Sequence, residues 1–246
     1  MQNLKQIYRA TYAGEHVVTN LTYQGNDWTP ETEYIANSVF STYTTTQAIA
    51  IGNGESRLPV DLTYIGNHKG GLYGSNKLQS YGCNALYRDF TPDFLVATGD
   101  EIIEEIANSG YAADNIVYTN ADSIIKYPGK FYLIPQNPYL DSGAIAAYMA
   151  CFDGHQKVFL LGYDNCVGHQ PVQNVYKDTP GYPTSDDSHN GRFWELSLAG
   201  IMKLYSDVEF VRIMPTKEYD IPLDWGRLPN FRQIDFRDFI LEADIG

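Results

Sequence analysis

Apolar positions along the chain follow two different rules. Up to residue 46 they are interspersed with Thr and other polar residues in LKQIYRATYA, HVVTNLTYQ and TEYIANSVFSTYT, with Gly14 and Gly25-Asn26 between the runs. Segments rich in Thr, Tyr and Val and separated by glycines predict a short β-meander, turning at Gly25-Asn26-Asp27. After Gln47 the apolar residues come in short unbroken runs: AIAIG (48–52), FLVAT (94–98), NIVYT (115–119), KFYLIP (130–135), KVFLLGYD (157–164) and VEFVRIM (208–214). Such runs suit strands buried on both faces, as in a parallel sheet. Between them lie helical patterns. DEIIEEIANSG (100–110) sets Ile102, Ile103 and Ile106 on one side and ends on a glycine cap. SGAIAAYMACFDG (142–154) is a small-residue apolar helix, and GRFWELSLAGIMKLYSD (191–207) an amphipathic one. Strands alternating with helices predict an α/β fold, a Rossmann-like, mostly parallel sheet flanked by helices. Residues 1–46 form a β-rich N-terminal extension, 47–214 the α/β domain, and 215–246 a tail. That tail carries Pro215, Pro222 and Pro229 and is expected to wrap the surface.

Composition narrows the class. With 246 residues, 43% of them apolar, the chain can bury a full core and is not a disordered one. Against 30 Asp and Glu stand 17 Lys and Arg, a formal net charge of -13. That balance disfavours a non-specific nucleic-acid binder, but leaves room for a small anion held by backbone amides. Cys83, Cys151 and Cys166 form no C-x-x-C pair and read as reduced thiols. The start, MQNLKQIYRATYAGEH, lacks the apolar core of a signal peptide, and no run approaches the roughly 18 residues of a membrane span. A cytoplasmic protein with no membrane partner is expected.

Four segments carry candidate chemistry. In AIAIGNGESR, the turn Gly52-Asn53-Gly54-Glu55-Ser56 follows a buried strand, where glycines let a ligand approach the backbone. It lacks the third glycine of a dinucleotide fingerprint and the Lys-Ser/Thr of a P-loop, so a ligand-free tight turn is the competing reading. In LQSYGCNALYRDF, Asn84 follows a strand end and either caps the next helix or reads a base or ribose; the residue chemistry favours the cap. Ser142-Gly143 opens a helix and offers amides to an anion. Asp164 stands where a strand leaves the sheet, facing a ligand or capping an Asx turn. In TSDDSHNGRFWEL, His189 is a candidate general base or a capping histidine, and Asp186-Asp187 could tune it. His155 and His169 lack supporting context. Phe193 and Trp194 read as core contacts, with a sugar platform as the sharper alternative.

Taken in order, these segments resemble the bacterial family 42 glycosyltransferases, sialyltransferases that use CMP-activated sugars, and the related archaeal 6-hydroxymethylpterin pyrophosphokinase-like domains. The matching features are Gly52-Asn53-Gly54-Glu55-Ser56, Cys83-Asn84, Ser142-Gly143, Leu160-Leu161-Gly162-Tyr163-Asp164 and Ser188-His189, covering roughly residues 47–214. The resemblance implies a variant GT-A-like, nucleotide-sugar-binding domain. It gives Asn53 and Asn84 contacts to the nucleotide, sets Gly52, Gly54, Ser56, Ser142 and Gly143 near phosphate and ribose, and makes His189 the base, with Asp164 beside it. The reaction implied is inverting transfer from a CMP- or UDP-linked sugar to a hydroxyl, with no obligatory cofactor. Glu55 replaces the family's proline, and Tyr139-Leu140-Asp141 stand where its arginine is expected. Cys166 replaces a leaving-group tyrosine, for which Tyr176 or Tyr182 could substitute by location.

Two other classes stay open. A pyrophosphokinase-like phosphoryl transferase would use Asp186-Asp187 to hold Mg²⁺. A degenerate fold, for example in a virus, would be a non-catalytic binding module. The acceptor is a glycan, a metabolite or, less favoured, a modified phage DNA base. A DNA acceptor requires a local basic face, and Lys217, Arg227, Arg232 and Arg237 are its densest source.

Overall fold

The computed structural model describes residues 2–10, 15–24, 27–36, 47–68, 78–164, 174–182 and 191–245, with side chains from Gln47 onward. β1 (Gln2–Ala10), β2 (Glu15–Gln24) and β3 (Asp27–Ala36) form an antiparallel meander in that order, as the Thr-, Tyr- and Val-rich segments predict. Gln24 pairs with Asp27; Gly25 and Asn26, at the expected turn, lie outside the described residues.

The remaining strands are β4 (Gln47–Ile51), β5 (Gln79–Cys83), β6 (Phe94–Val96), β7 (Val117–Thr119), β8 (Tyr132–Leu133), β9 (Lys157–Leu161), β10 (Glu209–Met214) and β11 (Phe231–Asp235). They form one sheet in the order β11-β10-β9-β4-β5-β6-β7-β8, and every pairing is parallel. The chain is therefore an α/β protein of Rossmann-like form. Its helices are α1 (Thr63–His68), α2 (Asp100–Ser109), α3 (Tyr111–Asp114), α4 (Ala121–Lys126), α5 (Ser142–Phe152), α6 (Gly191–Leu204), α7 (Leu223–Gly226) and α8 (Phe236–Glu242).

The sheet's two faces carry different side chains because strand residues alternate sides. Ala48 and Ala50 of β4 face a layer holding Ala146, Ala147 and Ala150 of α5 with Leu198 and Met202 of α6. Ile49 and Ile51 face the other layer, with Ile103 and Ile106 of α2 and Phe239 of α8. Small residues on both α5 and the strand below it let that helix approach closely, which explains why its sequence is apolar all round.

Two expectations need adjustment. The tail does not simply wrap the surface: β11 pairs in parallel with β10 and leads into α8. Its signal is weak because β11 is an edge strand in which only Ile234 is fully buried, so its pattern is mixed. KFYLIP contributes only the two residues of β8, because Tyr132 is exposed at the opposite edge and Pro135 cannot extend the ladder. Arg212 in β10 ties the tail down. It is almost fully buried, and its Nε donates to Tyr163 O at 2.9 Å. Its Nη1 donates to Asp220 O at 2.9 Å and to Gln233 Oε1 at 3.0 Å, and the guanidinium lies over Trp225. Burial pulls its pKa down to about 10.

Chain order runs outward from β4 through β8 and then returns to the far side of β4 with β9. The switch point lies between the carboxyl ends of β4 and β9, where open α/β sheets leave a crevice for ligands.

Candidate functional site

The two strands that border the switch point end in glycine turns that lie on each other. Gly52 N donates to Leu161 O at 2.8 Å and Gly54 N to Gly162 O at 2.9 Å. A Cβ on Gly52 would stand 2.5 Å from Gly162 O, and one on Gly162 would stand 2.7 Å from Gly52 O. Gly162 also has φ +73. Here the glycines are required for backbone against backbone. A 3₁₀ turn, Glu55–Arg57, follows. Its Ser56 donates from the backbone to Asp164 Oδ2 at 3.0 Å and from the hydroxyl to Asp164 Oδ1. Gly52, Gly54, Ser56 and Asp164 are thus brought together, and the amides of Gly52, Gly54 and Ser56 are engaged within the chain. The Asp164 carboxylate occupies the place at the turn's start that an anion would take.

Asn53 sits inside this crossing. Its Nδ2 donates to Cys83 O at 3.2 Å and reaches Tyr182 Oη at 3.5 Å, while its Oδ1 is buried without a hydrogen-bond partner. Asn84 follows β5 and begins a second 3₁₀ turn, Asn84–Arg88. It does not cap that turn through its side chain; its φ is +48 and its Oδ1 is likewise buried and unpartnered. A buried carbonyl oxygen without a donor costs about 1–3 kcal/mol, so both asparagines are better satisfied by something that donates. Between them, burial pushes the Cys83 thiol up to about 12, which keeps it protonated and unreactive.

The start of α5 forms the next wall. Asp141 is its N-cap and accepts from Ala144 N at 3.0 Å; Ser142 Oγ pairs with Thr98 Oγ1 at 2.7 Å; Tyr163 Oη donates to Gly143 O at 2.8 Å. Here too a carboxylate of the chain fills the helix end. Asp141 is largely buried, and desolvation raises its pKa, outweighing the amides that lower it. Ionised Asp141 therefore costs stability at neutral pH. Asp141→Asn, which still caps, is expected to raise the thermal midpoint at pH 7. The gain should shrink as pH falls and the folded wild type takes up its proton. A melting series from pH 7 to 3.5 checks this, and a gain that grows toward acid would contradict it.

Strained backbone gathers on this edge of the sheet. Of five non-glycine residues with positive φ among the described residues, Asn84, Gln136 and Tyr139 follow β5 or β8, and Asp178 lies on the segment over the β4 turn. Such conformations concentrate where a site constrains the chain. Residues Asn174–Tyr182 are pinned there. Val175 N donates to Asn53 O at 2.9 Å, and Arg57 Nη2 donates to Tyr176 Oη at 2.8 Å and to Asp89 at 3.2 Å. Tyr176 Oη donates in turn to Asp89, and Arg88 holds Thr179 and Pro180. Of the two tyrosines considered from sequence, Tyr176 has its hydroxyl committed to this network, and Tyr182 is the one at Asn53.

His189, Ser188, Asp186, Asp187, Cys166 and His169 lie outside the described residues. No match comes from the known families, curated proteins or solved structures. Among the described residues, no group of three or more His, Cys, Asp and Glu side chains is placed to hold a metal ion. No helix among them is long and apolar enough to cross a membrane. Lys217 is tied to Asp235 and Asp238, and Arg232 to Glu209 and Glu242, so two of the four tail cations are committed to ion pairs. Phe193 is half exposed rather than a core contact.

A hollow of about 610 Å³ lies at the opposite, amino edge, lined by Gln47, His155, Lys157 and Glu209. His155 is buried behind it, beside Tyr81 and Gln79. Asn53 Oδ1, Asn84 Oδ1 and four of the five residues with positive φ are at the carboxyl edge, and that is where we locate the candidate site. Sequence reasoning did not single out Asp141, Tyr163 or Thr98. An Asp directly before Ser-Gly at a helix start was a readable N-cap signal; the contacts of Tyr163 and Thr98 are long-range and left none.

Proposed function

We propose that the chain is a glycosyltransferase that takes a CMP- or UDP-linked sugar and transfers it, with inversion, to an acceptor hydroxyl. The observation that carries this reading is the pair of buried, unpartnered oxygens Asn53 Oδ1 and Asn84 Oδ1 after the carboxyl ends of the neighbouring strands β4 and β5. Both accept only, so they suit a ligand that donates through ribose or sugar hydroxyls or a base amino group. Asn53 and Asn84 are also the residues to which the family resemblance assigns nucleotide contacts. In this reading His189, carried by the segment between Tyr182 and α6, removes the acceptor proton as the oxygen attacks the anomeric carbon. Asp164 acts through Ser56, holding the turn that presents Asn53, and Tyr182 positions the Asn53 amide. Nucleotide release with CMP- and UDP-sugars over a panel of hydroxyl acceptors tests it. His189→Ala should lose turnover by about 10²–10⁴-fold and keep nucleotide affinity. Turnover unchanged in that variant would remove the assigned base.

One observation favours a second reading, a module that binds a saccharide or nucleoside without transferring it. The amides at both expected anion positions are capped by Asp164 and Asp141, so a phosphate would compete with carboxylates of the chain. Binding without turnover by any donor would support this second reading. The phosphoryl-transferase alternative depends on Asp186-Asp187, and ATP conversion to AMP with Mg²⁺ would reveal it.

A further inference from the structure

Tyr139 has the highest exposure, 80%, of the exposed large hydrophobic side chains among the described residues. It is also held in the left-handed region, at φ +54, which disfavours a bulky side chain. Nothing in its immediate packing compensates, because the ring is in solvent. The backbone that presents it is nevertheless fixed. Tyr139 N donates to Asn137 Oδ1 at 2.9 Å, Pro138 restricts the preceding residue, and the α5 cap Asp141 follows two residues later. Ser142, three residues on, pairs with Thr98 at the end of β6, the strand beside the one that ends at Asn84. Three residues span at most about 11 Å, so the ring stands within a sugar residue or two of the carboxyl end of β6.

We propose that Tyr139 is a stacking platform for a pyranose ring of the acceptor saccharide. An exposed, pre-oriented aromatic face gives contact area at little entropic cost and packs on the apolar C–H face of a sugar. The polar groups at the adjacent edge match the same ligand. Asn84 Oδ1 and Thr119 Oγ1 at the end of β7 are buried without partners, and Asp141 and Asp164 add negative charge. A neutral ligand rich in hydroxyl donors fits this edge better than an anion does. The inference rests on the proposed transferase reading for the role of the saccharide as acceptor.

The test uses the intact chain on an array of immobilised oligosaccharides, with Tyr139→Phe, Tyr139→Ala and Tyr139→Gly beside the wild type. Thermal midpoints and CMP and UDP titrations are measured on the same proteins. Wild type and Tyr139→Phe should capture the same saccharides, and Tyr139→Ala should weaken capture by about tenfold or more. Tyr139→Gly should lose capture while its thermal midpoint stays at or above that of wild type, because glycine relieves the positive φ. CMP and UDP affinity should be the same in all four. Capture that is absent from wild type or independent of the ring overturns the platform. So does a Tyr139→Gly midpoint clearly below wild type, which would mark a structural residue, or a parallel loss of CMP and UDP affinity, which would mark a base-stacking one. The transferase reading fails by a different result, the absence of any nucleotide or donor binding.

Discussion

Gly162→Ala is expected to lower the free energy of unfolding by about 3 kcal/mol or more, measured by urea denaturation. Two independent effects add at this position. The residue has φ +73, and a Cβ would stand 2.7 Å from Gly52 O, a backbone atom that cannot turn aside. Relief would require β4 and β9 to separate where Gly52 N bonds Leu161 O and Gly54 N bonds Gly162 O. Those strands are central in the eight-stranded sheet, so the damage cannot be confined to an edge. Gly200 supplies the control. It is exposed within α6, with nothing within 4 Å of an added Cβ, and Gly200→Ala should stabilise by roughly 0.5–1 kcal/mol. Equal behaviour of the two variants would contradict the crossing of the glycine turns.

Asn53→Ala and Asn84→Ala should each weaken binding of the nucleotide-sugar donor by about tenfold, and the double variant by about a hundredfold. Each removes an acceptor oxygen that has no partner within the chain, so the loss appears in ligand affinity more than in stability. Asn84 also carries φ +48, which asparagine tolerates better than alanine, so Asn84→Gly separates the two effects. It keeps the backbone conformation and removes the amide. Retention of wild-type affinity in Asn84→Gly, by titration calorimetry, would falsify a direct contact from Asn84. Asn53→Ala also gives up the bond to Cys83 O at 3.2 Å, so a modest drop in its thermal midpoint is expected alongside.

The parts of the molecule that were legible from sequence are those governed by local pattern. Buried parallel strands announce themselves as short apolar runs: β4 and β10 lie within one residue of the expected limits, and β9 starts where expected but ends three residues early, before the turn at Gly162. The amphipathic α2, closed by Gly110 at φ +81, was equally readable. β11 was not, because an edge strand alternates imperfectly. The glycine turn was recognised as special, but its reason was not. A Gly-x-Gly after a strand fits a ligand cradle and a backbone crossing equally well, and only the contact with Gly162 distinguishes them. Likewise Asp164 reads as ligand-facing or capping until Ser56, 108 residues away, is found on it. Asn84 went the other way, since capping was the favoured reading and its amide oxygen caps nothing.

The negative charge has acquired a location through these contacts. Asp164 and Asp141 take the amide positions where phosphate was expected, while Asn53 Oδ1 and Asn84 Oδ1 are acceptors without a donor. Under the proposed reading, a ligand at this edge would be recognised chiefly through its hydroxyl or amino donors.

Hydrogen–deuterium exchange of the wild-type chain, with and without saturating CMP- and UDP-sugars, tests whether a donor binds at the carboxyl edge of the sheet. New protection is expected in the peptides that carry Gly52–Arg57, Cys83–Arg88 and Asn174–Tyr182, all at the carboxyl edge of the sheet. Protection confined to the amino-edge hollow around His155, Lys157 and Glu209, or none with any donor, would contradict it.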